Sequence, residues 1–199
     1  MASGEPVLIA HGSGHSLGGG ALQGATGRPS ALAQIEGIVG VAMATGETAL
    51  AVDGQTLARP ATADAAGFSL TTGDLDGDGE AEWILGAPGS DTVHIVDPAT
   101  LEIRHSLTTQ IGSFGAALCA ADFDGDGQDE LLVGAPSAEL TRGVVIAYAS
   151  VLGAVDPIKV WTGDAVGDRL GTAVDCSVQV AALGAPGGAS STGHVRIVT

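Results

Sequence analysis

Two nine-residue stretches have the side chains and spacing to hold a cation: Asp74-Leu-Asp-Gly-Asp-Gly-Glu-Ala-Glu82 and Asp122-Phe-Asp-Gly-Asp-Gly-Gln-Asp-Glu130. In each, acids at positions one, three, five and nine surround two glycines, which let the chain turn tightly enough for the carboxylates to face one point. Two like charges about 4 Å apart repel by roughly 4 kcal/mol at an effective dielectric near 20, so such a cluster holds together only when an ion or protons neutralise it. The donors are all oxygen. Asp74, Asp76, Asp78 and Glu82 serve one loop and Asp122, Asp124, Asp126 and Glu130 the other, with a backbone carbonyl from Glu80 or Gln128 at position seven. That set favours calcium over zinc or copper, with two sites per chain. A metal-free Asp-Gly hairpin turn is the plainer alternative, but such a turn needs no acids at four set positions. Neither loop is an EF-hand, because position twelve is Leu85 or Val133 rather than Glu and no helical pattern follows.

Each loop runs into a short apolar segment closed by a turn, Trp83-Ile-Leu-Gly-Ala-Pro88 or Leu131-Leu-Val-Gly-Ala-Pro136, which reads as a buried strand. The surrounding pattern repeats. Phe114-Gly-Ala-Ala-Leu118 recurs as Ala66-Gly-Phe-Ser-Leu70, as Leu170-Gly-Thr-Ala-Val174 and loosely as Gly18-Gly-Gly-Ala-Leu22. Gly-Ala-Pro triplets begin at Gly86, Gly134 and Gly184, and Val39-Gly-Val-Ala42 stands where a degenerate fourth falls. A third strand follows in each unit, at Thr48–Asp53, Thr92–Asp97, Gly143–Tyr148 and Gly193–Val198; a fourth follows at Leu101–Leu107 and Pro157–Gly163, with a weaker equivalent at Thr56–Ala61. Four short strands per unit without helical periodicity predict an all-β chain, a β-propeller of four four-stranded blades. The predicted domain spans residues 6–199, with repeats near 15–62, 63–110, 111–160 and 161–199. Residues 6–14 resemble a fourth strand and are expected to complete the last blade, covering its open edge.

With 23 acidic residues against 7 Lys and Arg, the formal charge of −16 argues against nucleic acid or an anionic membrane as a partner. No run of eighteen apolar residues exists, so no membrane insertion is expected. Residues 1–20 lack the pattern of a signal peptide. Cys119 and Cys176 match neither a disulfide framework nor a zinc spacing, and buried free thiols are expected in preference to a bridge.

The pattern Phe/Leu-Gly-x-Ala, then Asp-x-Asp-Gly-Asp-Gly-x-x-Glu, then an apolar strand ending in Gly-Ala-Pro, resembles the FG-GAP repeat of integrin α-subunit propellers. The resemblance covers nearly the whole chain and is most specific in the second and third units. It implies calcium in the acidic loops, an interaction module for a protein or glycan ligand, cell adhesion, and an extracellular or cell-surface setting. Position nine is usually Asp in that family, where this chain has Glu82 and Glu130. Units one and four, with Gly24–Ser30 and Asp175–Gln179 in the loop position, have no acidic cluster and are assigned no metal. Integrin-like propellers usually have seven blades; here either four close on themselves or two chains form a homodimeric eight-bladed ring, the second being preferred.

Enzymatic and purely structural roles are the alternatives. Of the five histidines (His105 among them), His94 and His194 lie in strand-like runs. A small propeller enzyme with a cavity or dimer-seam site would use His11 or His15 as metal ligand or base, yet these two, four apart in a Gly-Ser-rich turn, have no acidic or nucleophilic partner fixed nearby. No nucleophile elbow or phosphate loop appears. Trp83 and Trp161 fit packing between blades better than a sugar-binding surface.

Overall fold

The computed structural model describes backbone and side chains for residues 67–149, 157–187 and 192–199, and for residues 8–58 the backbone of seven strands. Those are β1 (Leu8–His11), β2 (Gly14–Leu17), β3 (Gly20–Ala21), β4 (Pro29–Ile35), β5 (Ile38–Met43), β6 (Thr48–Val52) and β7 (Gln55–Ala58). The rest are β8 (Ser69–Gly73), β9 (Glu82–Ala87), β10 (Thr92–Val96), β11 (Ile103–Thr108), β12 (Ala117–Ala121), β13 (Glu130–Ala135), β14 (Val144–Tyr148), β15 (Pro157–Thr162), β16 (Ala173–Ser177), β17 (Val180–Ala185) and β18 (His194–Val198). A four-residue helical turn, Ala138–Thr141, is the one helical element among the described residues.

All described pairings between these strands are antiparallel and between chain neighbours, giving sheets β4–β7, β8–β11, β12–β15 and β16–β18, with β1–β3 a small sheet of its own. Each of the four larger sheets is a meander. The inner strands β9 and β13 are buried along their whole length because both faces meet another sheet, which is why they read as unbroken apolar runs. Outer strand β11 alternates exposed residues with partly or fully buried ones and carries the polar Arg104, His105 and Ser106.

Neighbouring sheets press face to face, and the repeat motif is what lets them. Gly115, at a φ of 89°, lies so close to Gly86 of the preceding sheet that a Cβ on Gly86 would strike the Gly115 carbonyl. Gly171 and Gly134 repeat this contact one sheet further on. The Phe-Gly segment of one unit and the Gly-Ala-Pro segment of its predecessor are thus two halves of one backbone-to-backbone contact, which only glycine admits. Side chains fill the remainder: Leu70, Trp83, Leu85 and Val96 face Ala33 of the first sheet; Ile84, Val93 and Ile95 meet Phe114, Leu131 and Val133; Leu132, Val145 and Ala147 meet Leu170, Ala181 and Leu183. Phe114 and Tyr148 contact edge to face, with centroids 6.3 Å apart. The packing roles expected of the tryptophans hold: Trp83 is fully buried and Trp161 lies against the core between the last two sheets. His94 is likewise a packed residue, with Nδ1 2.8 Å from Ser106 Oγ.

Two expectations are corrected. Cys119 and Cys176 are not free thiols but a disulfide joining β12 to β16, their Cα atoms 5.9 Å apart. Strand register explains the proximity, since Cys119 lies opposite Leu132 and Cys176 opposite Ala181, and both of those belong to the core between these two sheets. The N-terminal strand also departs from expectation: among the described residues β1 pairs with β2, and the last sheet comprises β16–β18.

Candidate metal loops

Both acidic loops are hairpin connections into the central strands, 74–82 between β8 and β9 and 122–130 between β12 and β13. The first aspartate organises each. Asp74 Oδ1 accepts the Gly77 amide at 2.7 Å and Oδ2 accepts that of Gly79 at 2.8 Å. Asp122 does the same for Gly125 at 2.6 Å and Gly127 at 3.2 Å. The four glycines have φ between 75° and 92°, the left-handed region that the repeated Asp-Gly steps make available.

The ninth residue is the anchor. Glu82 and Glu130 are 1% and 2% exposed, and each accepts a backbone amide through Oε2: Leu75 at 3.0 Å and Phe123 at 2.7 Å. Burial pushes both carboxyls above the usual Glu range, with neighbouring aspartates adding to the shift and the amide bonds opposing it.

Asp74, Asp76 and Asp78 place one oxygen each within 4.8 Å of one another; in the second loop Asp122, Asp124 and Glu130 do so. Glu82 stands outside the first trio and Asp126 outside the second, and the Glu80 side chain is exposed. Gln128 instead covers the first loop, its Cγ where a Cβ on Gly77 would fall. Asp129 makes a second link between the loops: its Oδ2 accepts the Asp74 amide at 2.9 Å and its own amide donates to the Asp74 carbonyl at 2.7 Å. Desolvation, then the charges of Asp74 and Asp122, hold the Asp129 carboxyl above its usual range.

Sequence reading missed one participant. Arg104 Nη1 lies 3.0 Å from Asp76 Oδ2 and 3.0 Å from Glu82 Oε1, and Nη2 lies 2.7 Å from Asp97 Oδ2. Among the described residues no cation pairs with Asp122, Asp124, Asp126 or Glu130. A further trio, Asp164, Asp168 and His194, arises in the fourth unit, where no metal is assigned; Arg196 is bonded to Asp164 at 2.8 Å, and Asp168 accepts the Ala165 amide at 2.7 Å. The side chains of His11 and His15 lie outside the described residues.

A row of antiparallel sheets carrying acidic hairpins is a propeller-like β protein, and comparisons with known proteins agree at that level. Residues 114–147, from the buried Phe114 through the second acidic loop to β14, match the family model of the FG-GAP repeat. The crystal structure of the computationally designed Ika4 protein is similar at a TM-score of 0.62 and 19% identity, over 88% of this chain and 93% of that one. That of the computationally designed Ika8 protein is similar at 0.66 and 18% identity, over 99% of this chain but 56% of that one. No curated protein sequence matches the chain.

Proposed function

We propose that the chain is a calcium-stabilised, integrin-like propeller module that binds a macromolecular partner, with the two acidic hairpins as its ion sites. The observation that carries this is the second loop. Glu130 is held by the Phe123 amide through one oxygen, its other oxygen has no described protein donor, and Asp122 and Asp124 converge on it with no ion-paired cation among the described residues. Three hard oxygen donors in a glycine-rich turn fit calcium, which when bound would neutralise the crowded carboxylates. Asp74, Asp76, Asp78 and Glu82 would hold the first ion, and Asp122, Asp124, Asp126 and Glu130 the second, with Glu80 and Gln128 contributing backbone. The FG-GAP resemblance directs the partner toward a protein or glycan, at a cell surface or outside the cell. On this reading a chelator lowers the melting temperature and calcium, but not sodium, restores it. A melting temperature indifferent to both ends the proposal.

We also propose that ring closure uses a second copy of the chain, with four blades from each. Strands β14 and β18, each the third of its sheet, hold equivalent places in successive sheets, aligning Val145 with Val195 and Ala147 with Ile197. Val145 and Ala147 are 0% and 3% exposed beneath the fourth sheet, whereas Val195 and Ile197 are 64% and 63% exposed. A face that one FG-GAP sheet covers in the third unit is bare in the fourth, so its natural complement is another such sheet, and the similarity to a longer chain is consistent with a longer row. Light scattering should give twice 19.4 kDa for the native chain and the monomer mass for Ile197→Asp. A native monomer points to closure by the chain's own first sheet.

A further inference from the structure

The two loops have nearly the same sequence, yet a guanidinium stands against only one of them. We infer that Arg104 is a built-in counter-cation that lowers the calcium affinity of loop 74–82 and leaves loop 122–130 as the tight site. The inference rests on the calcium reading above and goes beyond it by making the two sites unequal and naming the residue responsible.

Backbone geometry puts Arg104 in place. Between β10 and β11 the pairing slips from Ile95↔His105 to Val96↔Ile103, leaving Arg104 in a bulge. A bulged residue is re-aimed relative to its strand, and here the side chain reaches Asp76, Glu82 and Asp97 together. Asp97 fixes the far side of the guanidinium: it accepts Nε at 2.8 Å and is itself held by the amides of Ala99 and Thr100 at 2.9 and 2.8 Å. Nη1 thereby meets the one Glu82 oxygen that the Leu75 amide leaves over, and one oxygen of Asp76. A divalent ion using those oxygens must displace the guanidinium and then tolerate a positive charge beside it.

The next sheet contains its own control. Between β14 and β15 the pairing slips at the same place, from Ala147↔Lys159 to Tyr148↔Pro157, so the residue in the equivalent bulge is Ile158. Ile158 is apolar and 58% exposed, and nothing in it competes for the second loop's carboxylates. The first loop can therefore fold without an ion. Among the described residues no cation is paired with the second loop, Lys159 being turned to the Trp161 ring and the Thr199 carbonyl, so an ion or protons must relieve its repulsion.

Calcium titration calorimetry on the full chain tests this with three variants. The native chain should show two sites differing by at least about tenfold in Kd, and Asp122→Ala should remove the tighter one. Adding Arg104→Gln to Asp122→Ala should tighten the remaining site by about tenfold or more, whereas an unchanged or weaker site overturns the inference. Ile158→Arg should weaken the tight site by a similar factor while leaving the weak one; if it leaves the tight site untouched, a guanidinium in that bulge does not control affinity and the inference fails even where the Arg104 variant does not fold. Absence of any calcium heat from the native chain would instead sink the calcium reading itself.

Discussion

The hairpins 74–82 and 122–130 are identical at positions one, three, four, five, six and nine. They share the Asp-to-glycine amide bonds and the buried Glu, yet they differ in what surrounds them. The first is clasped on both sides, by Arg104 from its own sheet and by Gln128 and Asp129 from the next hairpin. The second has a counterpart to neither, because Ile158 replaces the arginine and the fourth unit turns tightly at Ser177–Val180 without acids. The motif thus dictates the local backbone, while the charge balance comes from residues far away in sequence.

Four measurements can break or sharpen this contrast. Asp122→Ala should have the largest effect, removing most of the calcium-dependent rise in stability; at calcium 100 to 1,000 times Kd that rise is about 3–4 kcal/mol. Asp74→Ala should remove clearly less, and equal losses would erase the distinction. Next, Gly73→Ala puts a Cβ 2.5 Å from Ala120 Cβ and 2.9 Å from Asp129 Oδ2, crowding the clasp between hairpins at a cost of about 1–3 kcal/mol in denaturant melts. The equivalent residue one unit on is already Ala121, so Ala121→Gly should lack that signature. Asp129→Ala then deprives the Asp74 amide of its acceptor, which should cost about 1 kcal/mol and alter the first hairpin more than the second by amide exchange.

The smallest effect is the pH dependence of the chelated protein. Glu82 and Glu130 titrate higher in the fold than in the open chain, chiefly because burial disfavours their charged forms. Between the ordinary value of 4.5 and their raised values the native state binds more protons than the unfolded state, so this contribution to stability falls as pH rises through that window. Arg104 opposes the shift at Glu82 alone. Glu130→Gln and Glu82→Gln should each flatten the slope, and a slope unchanged in both variants would contradict the role of buried carboxyls.

The repeats made most of the architecture legible in advance. Strand positions, the two hairpins and the packing of Trp83 followed from a period near fifty and from apolar runs, since every unit solves the same burial problem. The disulfide was less visible because 57 residues separate its cysteines and no spacing rule applies. Aligning the units would have exposed it: Cys119 aligns with Asp175 and Cys176 with Ala120, neighbouring register positions that point to opposite faces, so in stacked sheets the two thiols meet. Arg104 was hidden for another reason. Its reach depends on a one-residue slip between strands, which no side-chain pattern announces.

The covalent tie between β12 and β16 also bears on where such a molecule can survive. It fastens the sheet β16–β18, whose Val195 and Ile197 are exposed, and by restricting the unfolded chain across 57 residues it is worth about 4 kcal/mol. Thiol-rich cytosol dissolves bonds of this kind, whereas secretory and external fluids preserve them. Exposed to reductant, the stack would begin to peel from its C-terminal end, so the rivet works as an environmental licence for the whole assembly.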